Sequence, residues 1–195
     1  MAVMKTALEI ALERTEKVKS DKSSIGQFEA KQKGKKLANA FLAGEADLSE
    51  EIKRTPKEQV ESLRQGIFDV LVTKIALPAV KEDEKKIEKV GKGLQTVIND
   101  KQFSVLCQQL EQIISQYLKE AAQYEHAIRQ QYGLKLRQKE EEVSRRLGRE
   151  VRIDPLQDPE FVAFYNQHMN ALKSNYEPAI EQAKEEALRM FTAIP

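Results

Sequence analysis

Residues 103–147 run FSVLCQQLEQIISQYLKEAAQYEHAIRQQYGLKLRQKEEEVSRRL, and how this stretch is read decides the fold. It reads as one nearly unbroken α-helix. Phe103, Leu106, Leu110, Ile113 and Tyr117 recur in steps of three and four, the spacing that lines one seam of a helix. Glu120 interrupts that heptad, Ala121 takes over its apolar role, and Tyr124 and Ala127 return to the register. A second pattern starts at Tyr117. Tyr117, Ala121, Tyr124, Ile128, Tyr132 and Leu136 step mostly by four, closer to an eleven-residue repeat and a straighter seam. From Phe103 to Tyr132 alone such a helix is roughly 45 Å long. A compact domain of this size has a radius of gyration of only about 16 Å. The expectation is an elongated chain whose seam meets either its own helices or another copy.

Composition agrees with helices. Charged residues make up 32% of the 195, with 8 Gly, 6 Pro and no Trp, and the helix-favouring Ala, Leu, Glu, Lys, Gln and Arg dominate. The 41% apolar content is too periodic for a disordered chain. A formal net charge of +1 gives no global pull toward nucleic acid or anionic lipid. Cys107 is the sole cysteine, so an internal disulfide is excluded. Residues 1–20 are interrupted by Lys5, Glu9 and Glu13 and lack a signal-peptide core. No uncharged run approaches the ~20 residues of a membrane span, and a cytoplasmic location is the default expectation.

Shorter helices are expected around the long one. One runs over 3–18, with Met4, Leu8, Ala11 and Val18 on a face, and a polar break follows at Lys19–Ser24. Ser24 and Gln27 resemble a capping box opening a second helix, which Gly34 weakens and Gly44 ends. Thr55-Pro56-Lys57-Glu58 combines a capping box with proline at the first helical position, opening a helix to about Leu77. Pro78 stops it, and another helix follows over 78–98, with Asn99-Asp100 as a cap or bend. Beyond the long helix, Gly148 reads as its terminal glycine and Val151–Ile153 as a short strand or extended connector. Asp158-Pro159 caps a last helix that is interrupted near Pro178. The fold expectation is all-α: one helical domain over 1–195, built as an elongated antiparallel bundle or long helical hairpin. It comprises shorter N-terminal helices (1–44), core helices (55–132), a basic arm and connector (133–158) and a C-terminal helix (159–195).

No arrangement of catalytic or ligand-binding residues stands out. A structural zinc site needs four ligands, and the chain offers only Cys107, His126 and His168 among Cys and His. Di-iron bundles need Glu-x-x-His pairs, but Gln123 and Tyr165 precede the two histidines at that spacing. Cys107 and His126 lie about five turns apart on one helix and cannot meet. His168, on the apolar face of the last helix, reads as a core or interface histidine. Gly91-Lys92-Gly93-Leu94-Gln95-Thr96 lacks the upstream glycine and strand of a phosphate loop and reads as a flexible joint. No metal or cofactor is therefore expected, and no enzyme activity.

Residues 129–152 carry eight basic and four acidic side chains, a local charge of +4. Lys135, Arg137, Arg145, Arg146 and Arg149 could follow a phosphate backbone, with Tyr132 stacking on a base. Against that, Lys139 can pair with Glu142 and Arg145 with Glu141 along the helix. The favoured function is a non-enzymatic scaffold or adaptor that self-associates through Leu110, Ile113, Tyr117 and Tyr124. RNA binding through the basic arm 129–152 is the alternative.

Overall fold

A computed structural model of the chain describes residues 7–78 and 83–193, with side chains from Ser24 onward. The expected apolar face Met4–Val18 and the stripe residue Val80 lie outside the described side chains. The described residues form six α-helices and no strand: α1 (Ala7–Ala43), α2 (Leu48–Arg54), α3 (Lys57–Val72), α4 (Glu84–Ile98), α5 (Lys101–Leu147) and α6 (Pro159–Thr192). The chain divides into two compact units, residues 1–75 with 86–103 and 190–195, and residues 76–85 with 104–189.

In the first unit, α1 runs unbroken through the expected polar break at residues 19–24. Lys, Ser and Asp each cost a helix interior only a few tenths of a kcal/mol, so polarity alone does not end it. The helix ends at Gly44, in a left-handed conformation at φ 89°. There the Gly44 N–H donates to the Phe41 carbonyl and the Glu45 N–H to the Ala40 carbonyl, a Schellman closure. Lys89 Nζ adds a charged donor to the Leu42 carbonyl at 3.1 Å, favourable against the negative end of the helix.

The weakness expected at Gly34 is instead the tightest crossing in this unit. Gly34 and Gly66 are both buried where α1 passes α3. A Cβ on Gly34 would fall on the Leu63 carbonyl oxygen, and one on Gly66 on the Lys31 carbonyl oxygen. Glycine is needed here so that two backbones can touch, not for flexibility. The basic run of α1 is tied down as well, with Lys31 bridging to Asp69 at 2.9 Å and Lys33 to Glu51 at 3.2 Å.

Helix α2 was not legible, although Asp47 caps it by accepting from the Ser49 and Glu50 N–H groups. The capping box expected at Thr55 does not form. Thr55 Oγ1 donates back to the Glu51 carbonyl at 2.8 Å, and Pro56 itself takes the cap position of α3. Gly91 and Gly93 lie inside the continuous helix α4, so there is no joint. Gly93 is buried where a Cβ would crowd Leu71 and Phe41. Arg64 Nε donates to the Val97 carbonyl at 2.9 Å, and Phe68 stacks on Phe191 with ring centroids 4.3 Å apart.

The second unit is a helical hairpin. Asn99, at φ 51°, turns the chain out of α4, and Asp100 caps α5 by accepting from the Gln102 N–H. Helix α5, 47 residues, is about 70 Å long; α6, 34 residues, is about 50 Å. Tyr132 meets Phe161 edge-on at 5.3 Å, and Tyr117 meets Tyr176 edge-on at 5.4 Å. Stepping fifteen residues back along α5 thus matches fifteen forward along α6, a strictly antiparallel register. The same register places buried Leu110 level with buried Ala183, large against small.

Helix α5 ends at Gly148, in a left-handed conformation at φ 64°. Residues 151–153 form an extended connector, not a strand, with the Val151 N–H on Ser144 Oγ and the Ile153 N–H on Glu140 Oε1. The expected interruption near Pro178 is absent, for α6 continues through it. Pro178 and Ser174 are both exposed, so water can solvate the carbonyl that proline leaves without a donor. A Cβ on Gly133, within α5, would meet nothing within 4 Å. Gly133→Ala should therefore stabilise this unit by about 0.5–1 kcal/mol, read as a raised denaturation midpoint. An unchanged or lowered midpoint would contradict open space at that position.

Candidate functional site

Along α5 the buried positions are Phe103, Leu110, Ile114, Tyr117, Ile128 and Tyr132. The seam keeps the heptad at Phe103, Leu110 and Tyr117 and then follows the four-step pattern at Ile128 and Tyr132. At the Ile113-Ile114 pair it takes Ile114, and Ile113 is only half-buried. Burial pushes the Tyr117 hydroxyl above its usual range. Tyr124 is 45% exposed. At 100° per residue, Ile113 and Tyr124, eleven apart, lie within about 20° of one another on one flank of the buried stripe. Of the four expected contact residues, Leu110 and Tyr117 are therefore covered within the hairpin, while Ile113 and Tyr124 share an accessible edge.

The far end of the hairpin holds a charge cluster. Asp158, 5% exposed, is the only buried polar or charged residue among the described ones. Its carboxylate accepts from Lys139 Nζ at 2.8 and 3.0 Å, from the Tyr132 hydroxyl at 3.1 Å and from the Glu160 N–H at 3.0 Å. Glu160 takes Lys139 at 3.0 Å and Lys135 at 2.7 Å. Lys139 therefore pairs across the hairpin and not with Glu142. Asp158 also starts α6, so one side chain caps a helix and anchors the opposite one.

The hydrogen bond from Lys139, above all, holds the Asp158 carboxyl below its usual range, and Lys135 does the same for Glu160. Asp158 in turn raises Lys139. A carboxyl depressed in the folded state contributes stability above its unfolded value and loses it as pH falls through the folded one. Acidification below about pH 4 should therefore loosen this end of the hairpin. Thermal melts at pH 7 and pH 3 should show a smaller acid loss for Asp158→Asn than for wild type. Equal losses would mean that the cluster does not carry the acid response.

The basic arm is partly spent on these pairs. Lys135 is held by Glu160, and Arg145 lies 3.9 Å from Glu141, the pairing expected along the helix. Arg129 pairs with Glu125 and Arg152 with Glu150. Arg137, Arg146 and Arg149 take part in none of the ion pairs among the described residues. Arg137 and Arg146 are nine residues apart and project about 180° from each other, so the arm presents no single cationic strip. Tyr132, offered above as a stacking platform, is buried.

The other candidates are also placed. Cys107 is half-buried, and desolvation, helped by Glu111, pushes its thiol up to about 11, far from a reactive thiolate. His126 shares a hydrogen bond with Gln130, and His168 packs edge-on against Phe164 at 4.4 Å. Among the described residues no three His, Cys, Asp or Glu side chains gather as a metal site would need, and no helix is long and apolar enough to cross a membrane. In the sequence Asp158 is legible only as a cap. The signal for its second role was a lysine whose real partner sits nineteen residues away across a turn, beyond any helical spacing rule.

No curated protein and no solved structure matches the chain. Residues 49–189 match the model of a family of unknown function (DUF6657). That span takes in α3 to α5 and nearly all of α2 and α6, and the chain belongs to this family.

Proposed function

We propose that the protein is a non-enzymatic helical scaffold that acts by protein–protein contact and associates with copies of itself along the Ile113–Tyr124 edge of α5. The observation that carries this reading is the accessible tyrosine at 124, on the same flank of α5 as half-buried Ile113 about 16 Å along the helix, beside a buried seam. Covering that edge removes apolar surface from water at about 25 cal/mol per Å², and the neighbouring Gln116, Glu120 and Gln123 set register. Tyrosine suits such a contact, because it adds rigid area and a polar tip. Cytoplasmic residence is part of the proposal, supported by a lone cysteine and the want of a disulfide framework.

Ile113→Glu with Tyr124→Glu tests the assignment without touching the buried Leu110 and Tyr117. The double variant should keep wild-type helicity while its self-association weakens by roughly 100-fold or more. A folded variant that associates like wild type would sink it. RNA binding through Arg137, Arg146 and Arg149 is favoured only by their lack of ion pairs. It predicts affinity that falls steeply with salt.

A further inference from the structure

The hairpin carries a cleft on the other flank of the α5 stripe, away from Ile113 and Tyr124. Its volume is about 390 Å³, within the range of small-molecule sites. Tyr117, Leu118, Met169 and Pro78 give it an apolar lining, and Ala121 with Ala122 leave it open because their side chains are small. Asn166, Asn170 and Lys173 line it from one face of α6, three and four residues apart.

The charges in this cleft are not balanced. Glu125 also lines it, but Arg129 neutralises Glu125 at 2.8 Å. Lys173 takes part in none of the ion pairs among the described residues. The uncompensated charge is therefore positive, beside two amides able to donate, over an apolar floor. We propose that this cleft binds a small carboxylate with an apolar body, the carboxylate on Lys173 and the asparagine amides, the body against Tyr117, Leu118 and Met169. The chemistry is that of a few convergent polar groups orienting a mostly apolar ligand. A cation on a flexible stem can follow the carboxylate as a point charge. The site does not depend on self-association and can be occupied in a single copy.

Octanoate is the probe, with octanol and octylamine as matched controls, titrated into the full chain while the tyrosine ring NMR signals are followed. Octanoate should move the signals of Tyr117 and of Tyr165, which also lines the cleft, saturably, and the controls should bind at least tenfold more weakly. Lys173→Glu should weaken octanoate at least tenfold with unchanged helicity. Ala122→Leu, at an exposed position, should weaken it by filling the cleft even if the first variant folds poorly. Octanol binding as well as octanoate would overturn the carboxylate assignment. Octanoate that leaves both tyrosines unmoved, or binds both variants like wild type, would overturn the site.

Discussion

Gly34→Ala should destabilise the first unit by about 2–3 kcal/mol, although alanine is the better helix former by about 1 kcal/mol. The intrinsic gain loses because the new methyl has nowhere to go. It would overlap the Leu63 carbonyl oxygen and press on the Gly66 Cα and the Ile67 nitrogen, both 3.1 Å from its position. These are backbone atoms and cannot rotate aside, so α1 and α3 must separate, and separation loosens the buried side chains around Leu63, Ile67 and Phe68. Chemical denaturation of Gly34→Ala beside Gly133→Ala separates the two effects, since the same exchange should cost stability at the crossing and add it in open space. A neutral or stabilised Gly34→Ala would refute the close crossing.

Phe161→Ala carries the largest expected loss in the hairpin, about 3–5 kcal/mol. Phe161 is 1% exposed and clusters with Ile128 and Tyr132 over the half-buried Leu136, Phe164, Tyr165 and Met169. Removing its ring strips Tyr132 of its edge-on partner and opens a cavity beside the Asp158 cluster. Amide exchange should then rise in residues 128–136 and 161–169, with little change around the α1–α3 crossing. A loss under about 1 kcal/mol, or protection unchanged at Ile128 and Tyr132, would contradict this packing.

The all-helical fold was legible because it rests on local signals: apolar spacing, Gly44 and Gly148 as terminators, Asp100 and Asp158 as caps. Residues whose role depends on a distant neighbour carry no such local signal. Gly34 and Gly93 read as weak points, because a glycine that admits a neighbouring backbone or side chain and one that merely bends look identical in one dimension. Thr55-Pro56-Lys57-Glu58 had the letters of a capping box, but the preceding α2 offered the Thr55 hydroxyl a carbonyl first. Ile113 and Ile114 are equally apolar, and only tertiary packing decides which one turns inward. Of the candidate site, the Glu141–Arg145 pairing was visible from helical spacing. The Lys139–Asp158–Tyr132 cluster was not, since it exists only once the hairpin closes.

Light scattering of the wild-type chain coupled to size-exclusion chromatography decides whether it self-associates. The mass should be twice that of the 22.3 kDa chain or more, free of nucleic-acid absorbance and falling on dilution. A monomer at every concentration would contradict it. A peak loaded with nucleic acid that salt strips away would move the function to the basic arm.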